Sequence, residues 1–184
     1  MAPQVIRLEC GDAVRYIRLR RQMLLDAPWS FAASPDDDVA LQLDQLAGYL
    51  GDAQKAIFAV EAPNVSSRMD ELAADGLPEL VAAAGIMRAT QRKFIHRARL
   101  WGVFMEPDHR GRGLGRLVVS AAIDLARSWP GVDYLDLGVS ENAPRAQALY
   151  ESLGFQAWGR EPEATECDGR RYDEIHMTLR VEHR

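Results

Sequence analysis

The sequence predicts a mixed α/β (α+β) fold, in which a mixed, mostly antiparallel sheet of about seven strands is flanked by about four helices. Short runs rich in β-branched and aromatic residues recur along the 184 residues, and amphipathic stretches with a helical apolar period lie between some of them. Some strands follow one another directly and others are joined through helices, so the sheet should contain both antiparallel and parallel pairs. The predicted element order is βααβββαβαββ, in a single domain over residues 1–184.

The N-terminal part predicts one strand and two helices. Residues 5–8, VIRL, form the strand, and Asp12 caps a helix that runs to about Leu25. The apolar residues of this helix are expected to face inward: Val14, Ile17, Leu19, Met23 and Leu24. Prolines and aspartates predict a loop over residues 26–38, and the leucines between Leu41 and Leu50 predict a second helix that closes near Gly51.

The remainder predicts six strands and two helices. The strands are expected at residues 55–62, 81–89, 97–105, 134–139, 155–159 and 172–181, the last two joined by a turn at Asp168 and Gly169. Apolar residues at a 3.6-residue period predict a helix from Leu114 to about Ala126, and Pro144 opens a second helix that Gly154 ends. The polar stretch from Pro63 to Pro78 is expected to be a mobile excursion, with one helical turn at residues 70–74.

Composition excludes several classes of protein. The net charge of −5 gives no general attraction to nucleic acid or to an anionic membrane. No apolar run approaches the ~20 residues of a membrane span, and Met1 to Leu8 contain no signal-like apolar core, so a cytoplasmic location is expected. Cys10 and Cys167 lack metal-ligand spacing, which favours reduced thiols and predicts no metal site.

Residues 110–115, RGRGLG, place three glycines and two arginines where a strand turns into a helix. Unpaired amides and the helix dipole make such a corner a natural anion site, and Arg110, Arg112 and Arg116 add positive charge. A structural turn that binds nothing is the simpler alternative. A Walker A loop does not fit, because Gly113 is followed by Leu114 and Gly115 and not by Lys and Ser or Thr. A dinucleotide fingerprint does not fit, because Arg116 stands at its third glycine and no acidic residue follows at the expected distance.

The segment does fit RxxGxG, through Arg110, Gly113 and Gly115 after the strand LWGVFMEP. At this motif the chain resembles the GNAT superfamily of acyl-coenzyme A dependent N-acyltransferases. A second segment, ALYESLGF at residues 148–155, is similar to a downstream helix of that family, in which a tyrosine faces the thioester sulfur. The predicted element order also matches, so the resemblance extends over nearly the whole chain.

The resemblance implies acetyl-CoA as co-substrate and assigns residues to it. Backbone amides from Gly111 to Arg116 would hold the pyrophosphate, and the strand at Val103 to Met105 would pair with the pantetheine arm. Two parallel strands, ending near Met105 and Val139, would splay into a slot for the acyl group. Asn142 would contact the cofactor arm, although it stands eight residues before Tyr150 where the family often has seven. The implied cofactor-binding residues are Val103, Phe104, Met105, Arg110, Gly111, Arg112, Gly113, Leu114, Gly115, Arg116 and Asn142.

Acyl transfer to an amine requires an unprotonated nitrogen and a proton for the departing sulfur. An amine with a lysine-like pKa of ~10.4 costs ~4 kcal/mol to deprotonate near neutrality, so a base is expected. Under the resemblance Tyr150 is the acid; a packed core tyrosine is the alternative. The base stays open between Glu106, Glu141 and His96, each of which could equally be a solvated or loop residue.

The favoured function is transfer of an acetyl group from acetyl-CoA to a primary amine by direct attack in a ternary complex. A small cationic amine is expected, since Asp173, Glu174 and residues 36–38 could attract it, although surface charge is the commoner role. Trp29, Phe31, Trp101 and Trp158 are candidates for an apolar wall or for the core. The alternatives are a non-catalytic acyl-CoA binding or sensing module and a nucleic-acid binder. A homodimer is left open.

Overall fold

The computed structural model describes residues 3–62 and 76–182, and its element order is the predicted one. The strands are β1 (Val5–Arg7), β2 (Lys55–Glu61), β3 (Leu80–Arg88), β4 (Arg97–Met105), β5 (Tyr134–Ser140), β6 (Gln156–Cys167) and β7 (Arg170–Arg180). The helices are α1 (Ala13–Asp26), α2 (Leu43–Leu50), α3 (Leu114–Ser128) and α4 (Pro144–Ser152). The expected turn at residues 70–74 lies outside the described residues.

The strands form one sheet in the order β1-β2-β3-β4-β5-β7-β6. Every neighbouring pair is antiparallel except β4 and β5, which run parallel. Their pairing is limited to Arg97–Arg99 of β4 and Tyr134–Asp136 of β5. Within the described residues the two strands therefore separate after three pairs, as the sequence predicts for the strands ending near Met105 and Val139.

A β-bulge in β4 lies at the point where the two strands separate. Ala83 of β3 pairs with Phe104 and Gly85 pairs with Trp101, so Gly102 and Val103 together oppose a single residue of β3. Gly102 has a φ of +59°, a conformation that side chains disfavour. The bulge bends β4 while its pairing with β3 continues on both sides.

Helices cover the two faces of the sheet and define two cores. On one face α3 packs against β2, β3 and β4, with Val118, Val119 and Ala122 fully buried. On the other face α1 and α2 enclose Tyr16 and Leu46. Any cavity between β4 and β5 can therefore be approached from the α3 face and from the α1/α2 face.

The interior face of α1 differs from the prediction. Val14, expected to face inward, is 47% exposed, whereas Arg20 is buried with Tyr16 and Met23. The helix can bury this arginine because its Nε donates a hydrogen bond of 2.6 Å to the carboxylate of Asp38. Leu19, Met23 and Leu24 are buried as predicted, so the prediction fails at Val14 and misses Arg20, because an apolar period gives no weight to such an ion pair.

The last hairpin is longer than predicted. β6 extends to Cys167 and β7 begins at Arg170, and the turn between them contains Asp168 and Gly169, both at positive φ. Both cysteines are free thiols, as expected. Among the described residues, no helix combines the length and apolar character that crossing a bilayer requires.

Candidate active site

A cavity of about 1010 Å³ lies where β4 and β5 separate. Its walls include residues 100–105 of β4 and residues 137–140 of β5. The turn before α3, the start of α4, and residues 29–31 complete it. Because β4 has no partner on its β5 side over this stretch, its amides and carbonyls can pair with an extended ligand.

The glycine turn at one end of the cavity has the conformation of an anion cradle. Gly111 and Gly113 adopt φ values of +75° and +79°, and a Cβ built on either would meet no atom within 4 Å. Gly113 precedes the first residue of α3, so the unpaired amides of the first helical turn face this open space. The residues fit a phosphate group here.

Gly115 has a different reason to be glycine. It is buried, and a Cβ would lie 3.0 Å from Leu149 Cδ2 and from Met105 Sδ. Its absent side chain lets α3 approach β4 and α4 closely. Gly111 and Gly113 leave open space at the turn, whereas Gly115, which also lines the cavity, is required by close packing.

Two of the three arginines are engaged in contacts that fix the turn. Arg110 donates from Nε to the Met105 carbonyl at 3.0 Å and forms an ion pair with Asp26 at the end of α1. Arg116 donates to Ser152 Oγ at 2.7 Å and so links α3 to α4. Arg112 has no hydrogen bond or ion pair within the described residues, and it does not line the cavity. Arg145 of α4, which sequence analysis did not single out, does line it.

The other residues assigned to the cofactor line the cavity together. They are Val103, Phe104, Met105, Arg110, Gly111, Gly113, Leu114, Gly115, Arg116 and Asn142. Asn142 lies one residue before Ala143, the N-cap of α4, so its shifted spacing places it outside the helix. Its backbone amide donates to Ser140 Oγ at 3.3 Å.

Tyr150 of α4 also lines the cavity and is only 5% exposed. Its ring packs edge-on against Phe155, with 5.8 Å between centroids. No hydrogen bond from its hydroxyl is found among the described residues. Burial raises the pKa of Tyr150 above its ordinary value, so the hydroxyl keeps its proton throughout the neutral range.

None of the three base candidates lines the cavity. The Glu141 carboxylate accepts from Arg160 at 2.7 Å and from the Asp173 amide at 3.2 Å, on the last hairpin. His96 precedes β4 at the end where it pairs with β5, and the cavity begins beyond that pairing. Glu106 follows β4, and burial raises the pKa of its carboxyl, with Glu79 among the nearby charges.

His109 is a cavity residue that sequence analysis missed. Its Nδ1 is buried without a hydrogen-bond partner within the described residues and lies 3.5 Å from Glu106 Oε2. Nothing distinguishes this histidine in the sequence, because its exposure to the cavity depends on the short turn at Pro107–His109.

Aromatic side chains form the wall on the α1/α2 face. Trp29, Phe31 and Trp101 line the cavity, whereas Trp158 is 64% exposed on β6. The Arg20 guanidinium lies 5.2 Å from the Phe31 ring and 5.5 Å from the Trp101 ring. Asp38, considered above as a surface attractor, is instead buried as the partner of this arginine.

The parallel strands β4 and β5 separate beside the N-terminus of α3. This arrangement is that of a protein that can bind a long phosphorylated ligand, with its phosphate at the helix N-terminus and its chain along the free strand edge. The model of the Acetyltransferase (GNAT) family matches residues 33–155, and the chain belongs to that family.

Relatives and solved structures agree with this assignment. The chain is 28% identical over 95 residues to a spermidine N(1)-acetyltransferase of Vibrio cholerae, a match that covers 52% of this chain and 55% of that relative. The chain thus spans about half the length of the curated relatives it matches.

Solved structures share the fold over nearly the full chain. An acetyltransferase of the GNAT family from Streptococcus pneumoniae has a TM-score of 0.78 at 15% identity, covering 98% of this chain and 99% of that one. Spermidine N-acetyltransferase from Vibrio cholerae, in complex with CoA and spermine, has a TM-score of 0.73 at 19% identity, covering 97% and 95%. At these identities the likeness concerns the fold.

Proposed function

We propose that this protein transfers an acetyl group from acetyl-CoA to the primary amine of a small cationic acceptor, by direct attack in a ternary complex. The observation that carries the proposal is the cavity itself. It joins an open glycine turn at a helix N-terminus, an unpaired strand edge and a buried tyrosine within about 1010 Å³.

The donor would lie on the α3 face. Its pyrophosphate would be bound by the amides between Gly111 and Arg116, and its pantetheine arm would pair with β4 at Val103 to Met105. Arg112 and Arg145, which have no ionic partner within the described residues, are available to neutralise phosphate charge. A bound thioester supplies the activated acyl carbon, and every other requirement falls on this chain.

Tyr150 would supply the proton that the departing sulfur needs. Its burial beside the cavity and its raised pKa keep the hydroxyl protonated, and no described residue competes for its hydrogen bond. A phenol held in this way can donate to a thiolate as it forms.

Three observations support a cationic acceptor. The chain has a net charge of −5, and a relative that matches about half of it is named a spermidine acetyltransferase. A solved structure of the same fold holds CoA and spermine. An amine with several positive charges would be drawn to an acidic protein before it reached the cavity.

Calorimetric titration with acetyl-CoA, followed by an assay of free CoA thiol with spermidine, putrescine and lysine methyl ester, tests the proposal. We expect saturable binding at one site and thiol release that depends on the amine. Binding without thiol release for any amine would favour the alternative, a non-catalytic acyl-CoA binding module. Absence of binding at millimolar acetyl-CoA would refute both.

A further inference from the structure

The carboxylate of Glu174, on β7, lies against Gly138 of β5, which lines the cavity, although Glu174 itself is not a lining residue. A Cβ built on Gly138, a cavity residue of β5, would stand 2.0 Å from Glu174 Oε1 and 2.3 Å from its Cδ. The carboxylate therefore occupies the space that a side chain at position 138 would fill. A side chain at position 138 would displace the carboxylate from this place beside β5.

Register places this carboxylate at the level where the strands begin to part. Arg99 and Asp136 are the last paired residues of β4 and β5, and Trp101 and Gly138 each follow two positions later. Residues two apart on a strand share a face, so Trp101 and Gly138 flank the gap on the same side. Trp101 packs in the core beneath α1 and α2. Glu174 thus lies beside Gly138 on the face of the sheet opposite to α3, next to the residue at which β5 borders the gap.

Glu174 differs from the other carboxylates around it in its partners. From β5, Asp136 is paired with Arg97 of β4 at 2.6 Å, and on the hairpin Asp173 is paired with Arg160 at 2.5 Å. Within the described residues Glu174 has no arginine or lysine partner; its sole ionic neighbour is His176, at 3.6 Å.

A chain of polar groups leads from Glu174 to solvent. His176 Nε2 lies 3.0 Å from Glu161 Oε2, and Glu161 is the β6 residue paired with Glu174 in the ladder. Trp158 stacks on the His176 ring at 5.3 Å between centroids, which limits its rotation. The Glu161 side chain is 57% exposed and that of Glu174 only 25%, so exposure to solvent increases along this chain from Glu174 to Glu161.

We propose that Glu174 is the base of the reaction: it receives the ammonium group of the acceptor on the α1/α2 face and takes its proton. This rests on the proposed function. His176 and Glu161 are positioning residues that hold the carboxylate and pass the proton to solvent.

The transfer balances with Tyr150 acting from the other face. The amine nitrogen forms a bond to the thioester carbon, and the carbon–sulfur bond breaks. Two protons leave the nitrogen of the ammonium. One passes through Glu174 to solvent, and the other restores the Tyr150 hydroxyl after that hydroxyl has protonated the sulfur.

The test is the pH dependence of kcat/KM for Glu174→Gln, measured with the most active acceptor of the amine panel. At about pH 7 we expect a loss of at least a hundredfold, because general bases contribute about 10²–10⁴. Near pH 10 the loss should shrink, because an amine of pKa ~10.4 then supplies its own free base. Acetyl-CoA binding by calorimetry should be unchanged. Glu166→Gln, which removes an exposed hairpin carboxylate paired with Arg171, is the matched control and should keep full activity.

Gly138→Ala provides an independent variant that keeps the Glu174 carboxylate but displaces it from its place beside β5. We expect a similar loss at neutral pH with unchanged acetyl-CoA binding. A Glu174→Gln enzyme within about threefold of the wild type across the pH range would overturn the role of Glu174 and leave the acetyltransferase proposal standing. Loss of wild-type activity after dialysis against EDTA would also overturn the role of Glu174 as base, because Glu161, Glu174 and His176 would then hold a divalent ion. A wild-type protein that transfers no acetyl group to any amine would overturn both proposals.

Discussion

Replacing Tyr150 by phenylalanine removes the proposed proton donor and leaves the packing of α4 intact. The ring stays in contact with Phe155, and only the hydroxyl is removed. Because that hydroxyl has no hydrogen bond within the described residues, its loss should change the free energy of unfolding by less than about 1 kcal/mol. The variant is therefore expected to fold and to bind acetyl-CoA like the wild type.

The kinetic effect should be much larger than the effect on stability. Without a proton donor the sulfur must leave as a thiolate, and positioned acids contribute about 10²–10⁴ in rate, or ~3–5 kcal/mol of the barrier. We expect kcat to fall by roughly 10²–10³ with an unchanged Kd for acetyl-CoA. The lower part of the range is favoured because a thiol of pKa ~8.5 is already a fair leaving group near neutrality.

Thiol release at saturating acetyl-CoA measures this effect, and Tyr172→Phe is the control. Tyr172 is a buried tyrosine of β7 that does not line the cavity, so its hydroxyl should be dispensable for turnover. If Tyr150→Phe kept kcat within about threefold of the wild type, the hydroxyl would not be the acid, and the packing interpretation of this tyrosine would stand.

Three further outcomes are expected. Gly113→Ala should weaken acetyl-CoA binding more than tenfold, whereas Gly169→Ala, which imposes a similar strain of ~1–2 kcal/mol at positive φ in the distant hairpin turn, should leave calorimetric binding unchanged. Asp38→Ala should lower the free energy of unfolding by ~3–5 kcal/mol in urea, since it leaves the buried Arg20 uncompensated; a change below about 1 kcal/mol would mean that the pair is solvated. Burial raises the pKa of the Glu106 carboxyl in the folded state, so the folded protein loses stability as pH rises from the unfolded-state pKa through the folded-state pKa of this group. Glu106→Gln cannot ionise and should therefore lose less stability than the wild type between about pH 4 and 7. Parallel stability curves for the two proteins would contradict this sign.

The sequence predicted the element order because each segment carries its own local signal. Apolar residues recur every 3.6 positions between Leu114 and Ala126, and Pro144 is favoured at the start of a helix. Residues 100–105 of β4 form a run without a charged residue. Two residues of α1 show the limit of prediction from local signals: Val14 is exposed and Arg20 is buried. Arg20 is buried through a partner eighteen positions away, and no local period contains that information.

The candidate site was predictable where one segment builds it alone. The turn at Gly111 and Gly113 is a single contiguous stretch, and its positive φ values agree with the residues that occupy it. Glu174 lies against the cavity residue Gly138 only because β7 pairs with β5 and because position 138 has no side chain. To find Glu174, the pairing of β7 with β5 must be combined with the glycine at position 138. The sequence alone shows only an acidic residue near the end of the chain.

The two faces of the sheet impose opposite demands on β4. The strand must stay paired with β3 to hold the sheet together, yet its other edge must be free where the donor and the acceptor meet. The bulge at Gly102 and Val103 meets both demands, because it bends β4 without ending its ladder to β3. Tyr150 lines the cavity from the face of α3, and Glu174 lies beside its residue Gly138 on the face of α1 and α2. If the two residues act as proposed, their positions on opposite faces keep the proton donor and the proton acceptor from exchanging the proton with each other, and leave the gap between the strands for the reacting carbon.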